Sequence, residues 1–275
     1  MRRNTVYFIL PCAGEGRRLG WGGPKELFPI FSDKRLIDFT LDHIREAAHE
    51  LSGSDATSGA PIHPTADHTR YDLSVIVVTQ PWKTDVPEYV AGQLPGIPVR
   101  TVMFNPELFE WPGSVHSAQP HYGDINIVLL PDSFLSLSPE APARDPAGKQ
   151  LIHYILSSLA RHSVVFGYRP CTHPGQLKQL GALHVTDGIV SAFQDKPATH
   201  LQLYNGFWCC YAFTRPMGTP LYRFLQQSVA RTPVNIQNEP FHPAGAFPVH
   251  NYMDLGTPAA IESFRAQYGN PRYSR

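Results

Sequence analysis

Apolar residues in this chain fall into short blocks, and the spacing within and between the blocks lays out the expected elements. Residues 6–10 (Val-Tyr-Phe-Ile-Leu) are apolar without alternation and too few for a helix, the pattern of a strand buried on both faces of a parallel sheet. Blocks at 73–79, 99–104 and 125–130 predict three more such strands. Between the first two, Ile37, Leu41, Ile44, Ala48 and Leu51 mark one face of an amphipathic helix over 36–51. A shorter helix is expected at 86–94. Strands separated by helical or loop crossovers indicate an α/β fold, whose ligands collect beyond the carboxyl ends of the strands.

The second half is richer in strands. Segments 182–185 and 189–193 flank Thr186-Asp187-Gly188, a hairpin turn signal. Apolar strands are expected at 164–168 and 207–213, and a helix within 214–231. A last helix opens at Thr257-Pro258, with threonine as cap and proline in the first turn, and runs to Phe264. Residues 52–72 are mainly Ser, Gly, Pro, Thr, His and Asp and read as an exposed, flexible insertion in a single domain spanning 1–275.

Composition narrows the class. With 42% apolar and 17% charged residues, the chain is neither disordered nor fibrous. A formal net charge of zero argues against a general nucleic-acid or anionic-membrane binder. No apolar run reaches the roughly 18–20 residues that cross a bilayer, and the basic start lacks the features of a signal peptide. Cys12, Cys171, Cys209 and Cys210 show no Cys-x-x-Cys spacing, so reduced thiols in a cytoplasmic protein are expected. His63 and His68 have no partners at a metal-binding spacing.

The chemistry-bearing stretch follows the first strand. Gly14, Gly16, Gly20, Gly22 and Gly23 are interleaved with Arg17, Arg18 and Lys25. Glycines let backbone N–H groups approach an anion, and the cations balance its charge. The third glycine comes one residue too late for a dinucleotide fingerprint, and the Gly-Lys-Ser/Thr of a Walker loop is absent. In order and spacing, Ala13, Gly14, Gly16, Arg18, Leu19, Pro24, Lys25 and Leu27 resemble the A-G-x-G-x-R-L … P-K-x-L opening of the sugar-1-phosphate nucleotidylyltransferases. Glucose-1-phosphate thymidylyltransferases and UTP-glucose-1-phosphate uridylyltransferases are of this kind.

That resemblance implies a Rossmann-like, mixed but mainly parallel sheet flanked by helices; the C-terminal β-helix of hexapeptide repeats that some relatives carry is not expected, because the sequence shows no internal repeat. It implies transfer of NMP from an NTP to a sugar 1-phosphate, releasing pyrophosphate. Arg18 and Lys25 would act on the phosphates, and Ala13, Gly14 and Gly16 would line the nucleotide. Taken singly, a strand-end aspartate is an ordinary cap. Together, Asp132 and Asp254, the latter in Asp-Leu-Gly-Thr-Pro, resemble the paired metal aspartates that hold Mg2+ in the family. Pro131 and Ser133 depart from the usual residues beside the first. Asp195-Lys196-Pro197 resembles the Glu-Lys-Pro that holds the sugar hydroxyls and phosphate, and Asn205-Gly206 stands near the sugar-approach glycine. Gly113 and Ser114 are candidates for contact with the base, as is Gln80 for its edge; Trp111 and His116 receive no role.

The base and the acceptor stay open, phosphocholine among the acceptors, and relatives are often homo-oligomers. A non-catalytic nucleotide-sugar-binding regulator is the alternative within the fold. A nicotinamide-dependent oxidoreductase lacks the acidic residue closing the second strand, where Thr79-Gln80 stands.

Overall fold

The computed structural model describes residues 3–51, 70–137, 150–230 and 234–269. The insertion expected at 52–72 lies outside the described residues except for 70–72, which instead begin a strand. The first half carries β1 (Arg3–Pro11), β2 (Arg70–Thr79), β3 (Val99–Met103), β4 (Ile125–Leu129) and the short β5 (Ser133–Ser136). The second half carries β6 (Val164–Pro170), β7 (Gly181–Thr186), β8 (Ile189–Asp195), β9 (Gly206–Thr214), β10 (Gly245–Pro248) and β11 (Asn251–Asp254). Helices α1 (Asp38–Leu51), α2 (Asp85–Gln93) and α3 (Glu110–Ser117) link the early strands. They are followed by α4 (Leu151–Leu159), the single turn α5 (Pro174–Leu177), α6 (Gly218–Val229) and α7 (Pro258–Tyr268).

Nine strands form one sheet in the order β3-β2-β1-β4-β9-β6-β10-β8-β7, and β7 also pairs with β9, so the last five close into a ring. The expectation of a mainly parallel sheet is corrected here. Parallel pairing is confined to β1 with β2 and β4, β2 with β3, and β6 with β10. The reason lies in the connections. Crossovers through α1 and α2 return the chain in the same direction, whereas a tight turn reverses it. At that turn Asp187 and Gly188 have φ of 51° and 75°, both left-handed, as a two-residue hairpin requires.

Strand alternation divides the core between two faces. Val6, Phe8 and Leu10 pack with Leu41 and Ile44 of α1, Val90 of α2 and Ile155 of α4. Ile9, Ile76 and Val78 point the other way, onto Val115 of α3 and Phe224 of α6. Both sets are almost fully buried, so β1 turns apolar from Val6 to Leu10, after the polar Arg3, Asn4 and Thr5, because there little of either face meets water. A third cluster joins Leu19 and Ile30 of the glycine-rich segment to Leu255, Ile261 and Phe264, pinning α7 beneath that segment. Each such side chain contributes about 1.5–3 kcal/mol over its exposed state. The cap of α7 forms as its sequence predicts, Thr257 Oγ1 accepting from Ala260 N–H at 3.2 Å.

The small sheet decides where the chemistry gathers. β5 follows β4 directly and pairs antiparallel with β11, setting Ser133 opposite Asp254. Leu255 N–H also donates to Asp132 O at 2.9 Å. Two aspartates more than a hundred residues apart in sequence therefore end up beside each other at the rim of the sheet.

Candidate active site

A cleft of about 410 Å³ opens beyond the carboxyl ends of β1 and β4. Ala13, Gly14, Lys25, Asp132 and Asp254 line one end of it. Lys25 Nζ donates to Asp132 Oδ2 at 2.5 Å, and both side chains keep only 15% exposure. Burial pulls the Lys25 pKa down, but the Asp132 carboxylate, helped by Glu26 and Cys12, outweighs it and leaves the ammonium above its usual range. Asp254 also titrates above the ordinary carboxylate range, first because the cleft withdraws it from water and then because Asp132 is near; Arg18 and Lys25 oppose the shift. Two carboxylates and two cations thus share one small volume.

Close approach explains two of the glycines. Gly16 has φ of 70°, and a Cβ there would lie 2.7 Å from Lys25 Cβ, so the loop can fold over the lysine stem only with glycine. A Cβ on Gly256 would lie 2.8 Å from Asp254 Oδ1 and 3.0 Å from Arg18 Nη2. Glycine in the Asp-Leu-Gly-Thr-Pro segment lets the Arg18 guanidinium come up to Asp254. Arg18 itself sits on the turn 17–19, exposed and at the edge of the cleft rather than in its lining.

The far end carries Asp195 and Lys196 at the close of β8. Asp195 N–H donates to Ser228 Oγ at 2.8 Å, and Lys196, with φ of 46°, donates its N–H to Leu180 O at 3.0 Å. The Lys196 ammonium stands 4.0 Å from Asp195 Oδ2. Ser114 lines the cleft as well, and its buried hydroxyl has no hydrogen-bond partner among the described residues.

Other candidates sit elsewhere. Gln80 Nε2 donates to Ala13 O at 3.3 Å, so this amide supports the loop from behind. Gly113 packs against Leu108, where a Cβ would meet the Leu108 Cβ at 2.7 Å. Asn205 bridges strands, accepting from Val185 N–H at 2.9 Å and donating to Val185 O at 2.8 Å. Gly206 lies against Arg169 O and Tyr168, tighter than any Cβ allows. None of these four lines the cleft.

Several wall residues escaped the sequence reading. Trp111 and Trp208 face each other across 4.8 Å between ring centroids, with Gln179 and Tyr252 nearby in the lining. Gly181 makes room for the Trp208 indole, whose Nε1 a Cβ there would overlap. Beneath the glycine loop lies a fully buried ion pair, Lys83 Nζ to Glu26 Oε2 at 2.9 Å. Burial raises the Glu26 pKa, and Lys83 and Lys25 draw it back. Nothing in Gln-Pro-Trp-Lys-Thr-Asp, which reads as an exposed turn, signals that burial.

All four cysteines are free, with Cys12, Cys209 and Cys210 buried and Cys171 partly so. Among the described residues no helix is long and apolar enough to cross a membrane. No family model matches the chain, and no curated protein sequence matches it. Solved structures do resemble it. A UTP-bound UGPase from Acinetobacter baumannii is 16% identical, with 98% of this chain and 95% of that one covered at a TM-score of 0.68. A glucose-1-phosphate thymidylyltransferase from Bacillus anthracis, described as putative, is 12% identical over 96% and 94%, at 0.66. An inositol-1-phosphate CTP transferase from T. maritima is 14% identical over 95% and 93%, at 0.61. This likeness, extending over nearly the whole chain, shows a fold like that of the sugar-1-phosphate nucleotidylyltransferases.

Proposed function

We propose that this protein is a nucleotidylyltransferase that moves NMP from an NTP onto a sugar 1-phosphate, with release of pyrophosphate. The carrying observation is the polarity of the cleft. One end offers glycine-loop backbone, Lys25 and two aspartates, and the other, across the tryptophans, offers the Asp195-Lys196 pair. Such an arrangement suits a long polyanion at one end and a small phosphorylated acceptor at the other.

In this reading the acceptor's phosphate oxygen attacks the α-phosphorus of the NTP in line as pyrophosphate leaves. No covalent enzyme intermediate is needed, so catalysis rests on position and charge. Lys25 neutralises charge on the triphosphate, Arg18 reaches the leaving pyrophosphate from the rim, and Lys196 anchors the acceptor's phosphate. The Ser114 hydroxyl, already desolvated and unpaired among the described residues, is a ready contact for the nucleotide.

Asp132 and Asp254 fit a hard divalent cation such as Mg2+. Withdrawal from water, and then the nearness of Asp132, raise the pKa of Asp254, and oxygen donors are what such an ion takes. Mg2+ commonly takes only one or two carboxylates from a protein and draws its remaining ligands from phosphate and water. When bound, the ion supplies charge neutralisation at the phosphates.

A panel of NTPs against sugar 1-phosphates and inositol 1-phosphate, with and without Mg2+, tests the proposal through pyrophosphate release. Turnover with one pair is expected. Nucleotide binding without turnover for any pair would favour the regulatory reading.

A further inference from the structure

Lys83 has no part in the chemistry above, yet it is one of the largest fully buried side chains in the protein. Its Nζ lies 2.8 Å from Cys12 O, 2.5 Å from Gly14 O, and 3.0 and 2.9 Å from the two oxygens of Glu26. A buried ion pair is weak support for stability, because desolvating both charges offsets their attraction. The geometry points to another use.

In a planar trans peptide the N–H of one residue points opposite to the C=O of the residue before it. With the carbonyls of Cys12 and Gly14 turned inward to Lys83, the N–H groups of Ala13 and Glu15 turn the other way. The carbonyl between them, Ala13 O, accepts from Gln80 Nε2, so side chains of a single turn hold three successive carbonyls. Among the described residues no acceptor is paired with the N–H groups of Ala13, Gly14 or Glu15. Ala13 and Gly14 line the cleft. Backbone donors fixed in one direction and left unpaired form an anion nest.

We infer that Lys83 is the positioning residue of the phosphate loop. From behind, its ammonium turns the loop carbonyls inward so that the amides present themselves to the triphosphate, and through Glu26 it anchors the backbone on which Lys25 stands. The triphosphate part of this inference rests on the proposed function; the orientation of the loop does not.

Lys83→Met alone would strand Glu26 as a buried unpaired charge and unfold the chain, so the test uses Lys83→Met with Glu26→Met, which removes both charges and keeps unbranched side chains of similar length. The double variant is expected to stay folded by circular dichroism. Its amide resonances for Gly14 and Glu15 shift or broaden in protein without ligand. The Kd for Mg-NTP by calorimetry and the KM for NTP rise about tenfold or more, while the acceptor's KM holds. Glu26→Gln, which leaves the carbonyl contacts of Lys83 in place, is expected to change the NTP Kd by less than about threefold. Unchanged loop resonances and unchanged NTP affinity in the double variant would reduce Lys83 to core filling. A loss in Glu26→Gln as large as in the double variant would transfer the role to Glu26, and either result overturns the inference. Shifted loop resonances in a protein whose parent form binds no NTP would retain the positioning role and remove the proposed function.

Discussion

The two ends of the cleft are built on different principles. At the loop end charge is enclosed: Lys83 and Glu26 are fully buried, and Lys25 grips Asp132 at 2.5 Å. At the acceptor end the backbone of Asp195 and Lys196 is fixed by hydrogen bonds, but the Lys196 side chain is half exposed and only loosely paired with Asp195. Enclosed charges are weakly screened and already oriented, so removing one costs both binding and rate. A solvated lysine on a flexible stem acts as a point charge whose loss weakens binding of one ligand.

Lys25→Ala should lower the rate of pyrophosphate release by about 10²–10³-fold, the scale seen when a preorganised charge or donor is removed from a reacting centre. A loss below tenfold would mean that the loop end is no better organised than the acceptor end. Lys196→Ala should raise the acceptor's KM about tenfold and leave the NTP's KM unchanged, as initial-rate kinetics with each substrate varied would show. Equal effects on both would erase the division between the two ends.

The smallest effect is expected at Asp254. Its folded pKa is raised, so where it is ionised it destabilises the fold relative to the unfolded chain. Asp254→Asn should therefore raise the thermal midpoint at pH 7 by about 1–3 °C. The gain should fade as the pH falls through the raised pKa towards the ordinary Asp value, below which the carboxylate is protonated in both states. A midpoint lowered at every pH would show that the Gly256 N–H bond, Arg18 and Lys25 together outweigh burial and the repulsion from Asp132.

Much of the fold was legible because burial on both faces leaves a plain mark. The blocks at 6–10, 73–79, 99–104 and 125–130 became β1 to β4 within a few residues at each end. The turn at Asp187-Gly188 and the cap at Thr257 were equally readable, since their backbone chemistry is local. Short edge pieces were not. β5 and β11 have four residues each, too few for a period to show, and α4 carries apolar residues over most of its length. The site divides in the same way. Glycines, Arg18 and Lys25 announce an anion loop because phosphate chemistry restricts the residue types, whereas Asn205 and Gly206 match a motif by position but hold strands together.

Local covalent chemistry and periodicity, written along the chain, determined the buried parallel strands, the glycine loop after the first of them, and the kind of charge the loop carries. Long-range pairing decided the rest. Only the register of β5 against β11 sets Asp132 beside Asp254, only ring closure through β7 and β9 brings the end of β8 round to the cleft, and only burial beneath the loop turns Lys83 from a turn residue into its support. These contacts join residues far apart in sequence, and their energy depends on which surfaces exclude water together, something no window of neighbouring residues contains.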